Sequence, residues 1–207
     1  MGGGRSRWDP NDRLGNETDD VQWIVHGERT VYDSPWLRLA LSDVEIPGGE
    51  RFEHHVVRAP AHAAGTVVLD PDRGVLLLWR HRFITDTWGW EVPAGRIDPG
   101  ETPADAAARE TLEETGWSPG PLTWFTTYHP NNGQSDLRFH LFTAAGATHR
   151  GEPADRAEAE RVEWVPLDTV RVELAAHRVV DGLSLAALLW ALTFGAAPPS
   201  VDPVASS

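Results

Sequence analysis

The 207 residues, 41% of them hydrophobic, can bury a sizeable core, so one domain with an embellishment is expected rather than two full domains. Eighteen basic residues against 31 acidic ones give a net charge of -13, which argues against nucleic acid or an anionic membrane as a partner. The absence of cysteine excludes disulfides, thiolate catalysis and zinc-thiolate sites and fits a cytoplasmic location.

Residues 1–20, with three successive glycines and no apolar period, read as a disordered tail, and because no basic region followed by an apolar run opens them, no secretory signal is expected. Residues 21–60 carry short strand patterns that read as an N-terminal β extension: TVYDS, LRLALSDVEI, a Pro47-Gly48-Gly49 turn and FEHHVVRA. Ala64 to Leu69 and Val75 to Trp79 flank an Asp70-Pro71-Asp72-Arg73-Gly74 turn, which predicts a hairpin. Trp88 to Val92 reads as a further strand. Beyond residue 117, strands are expected over Thr123 to Tyr128, Arg138 to Ala144 and Arg161 to Val165, and helices around Thr169 to Val179 and Leu183 to Thr193. The uncharged run after Leu183 holds leucines at helical spacing but is too short in its apolar part for a membrane span, so it reads as a core-packing helix. The main domain then covers 61–197, followed by a flexible tail at 198–207. Few helices among many strands make the fold class α+β.

Between these segments lies GRIDPGETPADAAARETLEETGW, residues 95 to 117. Thr102 suits an N-cap, Pro103 the first helical position, Asp105 a capping pattern and Gly116 a left-handed end, so a helix is predicted over Pro103 to Thr115. At about 100° per residue, Glu110, Glu113 and Glu114 share one arc, while Ala104, Ala108, Thr111 and Leu112 are expected to face the core. Three Glu taken alone would be a solvated acidic face. Like charges at this spacing repel, and a divalent cation reverses that sign. Hard carboxylate oxygens suit Mg2+ or Mn2+.

The stretch fits G-x5-E-x7-R-E-U-x-E-E-x-G-U, where U is apolar, through Gly95, Glu101, Arg109, Glu110, Glu113, Glu114, Gly116 and Trp117. It closely resembles the box of the Nudix hydrolases, with Thr111 standing where an aliphatic residue is usual. The resemblance implies an α/β/α sandwich around a mixed sheet. It also implies a metal site of Glu110 and Glu114, assisted by Glu113 and the Ala94 carbonyl, with Arg109 orienting Glu113 and Glu101 supporting the loop. Asp155, Glu158 and Glu160 are candidates for the general base, and Glu158 is favoured.

The β extension, LLLWRHRF before WGWEVPAGRID, and YHPNNGQSDLRFHLFTA after the box resemble the ADP-ribose pyrophosphatase branch, in which Pro130 takes the part of a marker proline. That branch implies a homodimer and a small-molecule nucleoside diphosphate substrate, with ADP-ribose cleaved to AMP and ribose 5-phosphate. Arg82 and Arg96 are candidates to hold phosphate or ribose oxygens, and a tryptophan to stack a base. His54, His55, His129 and His140 are expected to serve packing or surface roles. Another nucleotide sugar, NADH or a nucleoside triphosphate remains an alternative substrate, as does a non-catalytic ADP-ribose-binding sensor; the intact box and lack of a basic module favour the enzyme.

Overall fold

The computed structural model describes residues 22–154 and 159–195, so the two expected tails lie outside the described residues. Strands β1 (Ile24–Asp33), β2 (Arg38–Glu45) and β3 (Arg51–Arg58) form an antiparallel sheet of their own. Every β1 residue is exposed. The main sheet sets β12 (Arg161–Val165), β5 (Gly74–Arg82), β4 (Ala63–Asp70), β10 (Phe139–Ala145) and β9 (Leu122–Tyr128) side by side in that order. To it are added β6 (Thr87–Glu91), paired with β5, and β7 (Ala94–Arg96), paired with β4. The sheet is mixed because β4 and β10 run parallel while the other pairs are antiparallel.

Alternation along the central strands decides which helix covers which face. Val67, Val75, Leu77 and Leu141 point into one core with Val170 of α2 (Leu167–Ala175) and Leu183, Ala187 and Leu188 of α3 (Gly182–Phe194). Their neighbours Ala64 and Phe142 pack on the other face against Ala106 and Ala107 of α1 (Pro103–Thr115). Both faces of the sheet are therefore buried, giving the expected α/β/α sandwich in the α+β class.

Helix α1 has the predicted bounds. Thr102 Oγ1 accepts the Asp105 N–H at 3.2 Å, and Gly116 ends the helix at φ 74°. A side chain at Gly116 would also collide with the Gly151 carbonyl, 2.0 Å from where its Cβ would sit. Helix α2 is shorter than expected, because His177 at φ 56° turns the chain and Arg178 N–H bonds back to the Glu173 carbonyl. Strands β7, β8 (Trp117–Pro119) and β11 (Ala147–His149) were not anticipated. Three residues are too few to display a period.

The N-terminal sheet is tied to the loop after β9. Val57 N–H donates to the Gln134 carbonyl at 2.7 Å, Ala59 N–H to Asp136 Oδ1 at 2.8 Å, and Arg58 bridges Asp136 and Glu28.

Candidate active site

The burial of α1 corrects the expected orientation. Thr111 is buried as anticipated, but Leu112 is 39% exposed and Glu114 is only 3% exposed, so one of the three box carboxylates faces inward. Thr111 tolerates burial because its hydroxyl donates to the Ala107 carbonyl at 2.7 Å. Glu114 tolerates it because Arg80 lies beneath: Arg80 NH2 donates to Glu114 Oε1 at 2.8 Å, and Ala94 N–H donates to Oε2 at 2.9 Å. Burial pushes the Glu114 carboxyl up to about 7, against the Arg80 charge and the Ala94 N–H, which both favour the anion.

Glu110 and Glu113 are held from the other side. Arg109 NH1 donates to Glu110 at 2.8 Å and to Glu113 at 2.9 Å, Nε and NH2 grip Glu101 at 2.9 and 3.0 Å, and NH2 also donates to the Arg96 carbonyl at 2.9 Å. All five guanidinium N–H groups are thereby used. The hydrogen bonds to Glu101 lead the causes that raise the Arg109 pKa, so this side chain stays charged. Glu101 in turn accepts the Asp98 N–H at 3.1 Å, which closes the loop before the helix.

Gly95 explains how the loop and helix fit. A Cβ there would lie 2.1 Å from Glu110 Cδ, so the carboxylate occupies the place a side chain would fill. Glu110 thus lies against Gly95 of β7 and Glu114 against the Ala94 N–H of the same strand, with Glu113 joined to Glu110 through Arg109. Among the described residues no three or more His, Asp or Glu side chains are arranged so that they could by themselves hold a metal ion. Mg2+ is commonly held by one or two carboxylates together with substrate phosphates and water.

The structure separates the other candidates. Arg82 is clamped by Glu91 at 2.9 and 2.5 Å and borders a cavity of about 360 Å³ with Thr85, Thr87 and Asp181. Arg96 borders a different cavity of about 540 Å³ with His62, Glu101 and His140, and its guanidinium lies 5.0 Å from the Trp36 ring centroid. Pro130 is exposed in the loop tied to β3. His54 bonds to the Gly133 carbonyl in that loop, His129 to the Leu137 carbonyl and His140 to Thr127. Asp155 and Glu158 lie outside the described residues. Glu160 is exposed, with its N–H on the Trp79 carbonyl at 2.9 Å, and the near side of the same loop is fixed to α1 by Ala154 N–H on the Glu113 carbonyl.

Sequence reasoning missed Arg80 and Glu91, each 3% exposed at the side chain and 3.7 Å apart. The signal for Arg80 was a charge inside an apolar strand run, VLLLWRHR, at the parity of Leu76 and Leu78.

A box of this geometry on an α/β/α sandwich defines a Nudix hydrolase, and the NUDIX domain profile matches residues 59–186. The chain belongs to the Nudix family and is a Nudix pyrophosphatase, with similarity to ADP-ribose pyrophosphatases. It is 44% identical over 177 residues to the CMP-5'-(N-acetyl-N-hydroxy-3-aminopropyl)phosphonate hydrolase of Streptomyces rubellomurinus, covering 86% of this chain and 85% of that one. It is 27% identical to the ADP-ribose pyrophosphatase of Mycobacterium tuberculosis, with 82% and 84% of the two chains covered. A crystal structure of an ADP compounds hydrolase shares the fold at a TM-score of 0.73 and 21% identity, covering 83% of this chain and 94% of that one. No helix among the described residues is long and apolar enough to cross a membrane.

Proposed function

We propose that the protein hydrolyses the anhydride between a nucleoside 5'-monophosphate and a second phosphoryl or phosphonyl group, using Mg2+ or Mn2+. The observations that support this are Glu110 seated over Gly95, Glu114 fixed by Arg80 and the neighbouring Ala94 N–H, and Glu113 joined to Glu110 through Arg109. When bound, the divalent ion neutralises charge on the diphosphate oxygens and favours ionisation of the attacking water. Glu110, Glu113, Glu114 and the Ala94 carbonyl hold it. Arg109 orients Glu110 and Glu113, and Arg82 and Arg96 face the two cavities into which the halves of the substrate extend. Glu158, or failing it Glu160, takes the proton of the water as its oxygen bonds to one phosphorus and the bridging P–O bond breaks.

For the substrate, the likeness to the CMP-phosphonate hydrolase covers nearly all of both chains and favours a cytidylyl-linked organophosphonate. ADP-ribose, cleaved to AMP and ribose 5-phosphate, is the second reading, supported by the more distant relatives. A panel of CMP-alkylphosphonate, ADP-ribose, other nucleotide sugars, NADH and nucleoside triphosphates, followed by ³¹P NMR in ¹⁸O-water, decides between them. Cleavage of the anhydride with label in one product is expected. Stoichiometric binding of ADP-ribose with no turnover in either metal would refute the enzyme in favour of a sensor.

The working form we propose is a cytoplasmic homodimer, with the N-terminal sheet as an extension that reaches the second copy. Trp23, Ile24, Val25, Val31 and Tyr32 are all exposed on or beside β1, more apolar surface than one edge strand normally leaves to water. Deleting residues 1–60 should give an aggregating or inactive protein, and a soluble, fully active monomer would contradict the dimer.

A further inference from the structure

Strand β5 alternates between the two faces of the sheet. Val75 and Leu77 point toward α2 and α3, whereas Leu76 belongs to a cluster on the opposite face. The same parity brings Arg80 beneath α1. Its side chain is almost wholly buried, and a buried guanidinium persists only with partners. Glu114 supplies one, at 2.8 Å on NH2, and Glu91 another, 3.7 Å from NH1.

Glu114 is held by more than that single contact. Its Oε1 accepts from Arg80 on β5, and its Oε2 accepts from the Ala94 N–H on β7. Two donors on different strands fix the plane of the carboxylate, so it cannot rotate without giving one of them up. Glu91 also grips Arg82 at the border of the 360 Å³ cavity, so one chain of contacts runs from that cavity through Glu91 and Arg80 to Glu114.

We propose that Arg80 is a positioning residue: it acts through Glu114, setting the orientation in which that carboxylate meets the divalent ion, and it links that orientation to Arg82. This rests on reading the box as a metal site. It differs from mere charge balance, in which any buried cation would serve. Lysine separates the two, because it keeps the charge but replaces a planar fork with a single ammonium.

The test is a double-mutant cycle on the full chain, with Arg80→Lys and Glu114→Gln alone and together. Mn2+ affinity is read from the electron paramagnetic resonance of the free ion, beside kcat, KM and the melting temperature. Arg80→Lys should melt cooperatively, bind Mn2+ about 10- to 100-fold more weakly, the range for losing a partner behind a metal ligand, and lose kcat while KM changes little. In the Glu114→Gln background the same change should weaken Mn2+ less than about twofold, since its route is already cut. Wild-type affinity and kcat in Arg80→Lys, or equal weakening in both backgrounds, would overturn the proposal while leaving the metal site intact. If Glu114→Gln binds Mn2+ as the wild type does, the box reading fails and this inference with it. Should Arg80→Lys not fold, Arg80→Gln, which retains an N–H donor, takes its place in the cycle under the same criteria.

Discussion

Gly95→Ala adds one methyl at the centre of the site and separates folding from function. The new Cβ would lie 2.1 Å from Glu110 Cδ and 2.2 and 2.3 Å from its two oxygens. Carbon atoms rest at roughly 3.5 Å or more, so the carboxylate must retreat by about 1.4 Å. The backbone at Gly95 is outside the left-handed region, so alanine meets no strain of its own there. Because the displaced atoms end a flexible side chain, the fold should lose less than the 1–3 kcal/mol typical of overpacking, which is at most about 10 °C in a domain of this size. The active geometry has no such slack. A misplacement of about 1 Å can lower a rate on the order of 10²-fold, equivalent to about 2.7 kcal/mol of barrier. Thermal melting, together with steady-state hydrolysis of the preferred anhydride in saturating Mg2+, measures both sides. Wild-type kcat in a folded Gly95→Ala protein would refute the view that Glu110 must sit over this glycine, and an unfolded product would refute the claim that the collision is relieved by one side chain.

Arg109→Lys should fold and lose about 10- to 100-fold in kcat, because three donors on one ammonium cannot replace five N–H groups shared among Glu101, Glu110, Glu113 and the Arg96 carbonyl; near-normal kinetics would reduce that network to a surface ion pair. Glu158→Gln should cut kcat by roughly 10²- to 10⁴-fold with metal binding nearly unchanged, and Glu160→Gln should matter less. The reverse order would move the base to Glu160, and indifference to both would return it to the box. Glu28→Gln tests the clamp on the N-terminal sheet: hydrogen bonds from Arg58, then Ser42, hold the Glu28 carboxyl below its ordinary 4.5. A depressed folded value stabilises above about pH 4.5 and ceases to as pH falls through it, so wild type should melt above Glu28→Gln at pH 7 and the gap should close as acid protonates the carboxylate. A gap that persists unchanged in acid would show the charge to be irrelevant.

The sequence announced α1 more fully than any other element because cap, first-turn proline, terminal glycine and periodicity all agreed at Thr102, Pro103, Gly116 and the residues between. The same periodicity misled about Glu114. A helical wheel assigns carboxylates to water by type, whereas the burial of Glu114 depends on Arg80, 34 residues earlier, and on a backbone N–H from β7. Neither contact leaves a local trace. Glu91 and Arg80 were overlooked for a related reason: in an antiparallel β5–β6 pair their meeting depends on register, which the hairpin loop sets and no single strand displays. Arg82 and Arg96 could be named from the sequence as candidates to hold phosphate or ribose oxygens but not placed in separate cavities, since that partition follows from how β6 and the loop after β7 are folded.

Charge accounting connects the site to the chemistry. Glu91, Glu101, Glu110, Glu113 and Glu114 pair with Arg80, Arg82 and Arg109, so carboxylates outnumber guanidinium groups five to three, in a chain whose net charge is already -13. A diphosphate approaching such a site meets repulsion of about 4 kcal/mol per charge pair at 4 Å under an effective dielectric of 20. These three arginines cannot offset this by turning to the substrate. Arg109 has no N–H to spare, Arg80 is buried beneath α1, and Arg82 is already clamped by Glu91. A divalent ion held among Glu110, Glu113 and Glu114, as proposed, would offset that excess without disturbing Arg109's grip on Glu101 and the Arg96 carbonyl. On the metal-site reading proposed above, Arg80 and Arg109 therefore keep carboxylates in place for a cation, and the cation makes the site attractive to a diphosphate.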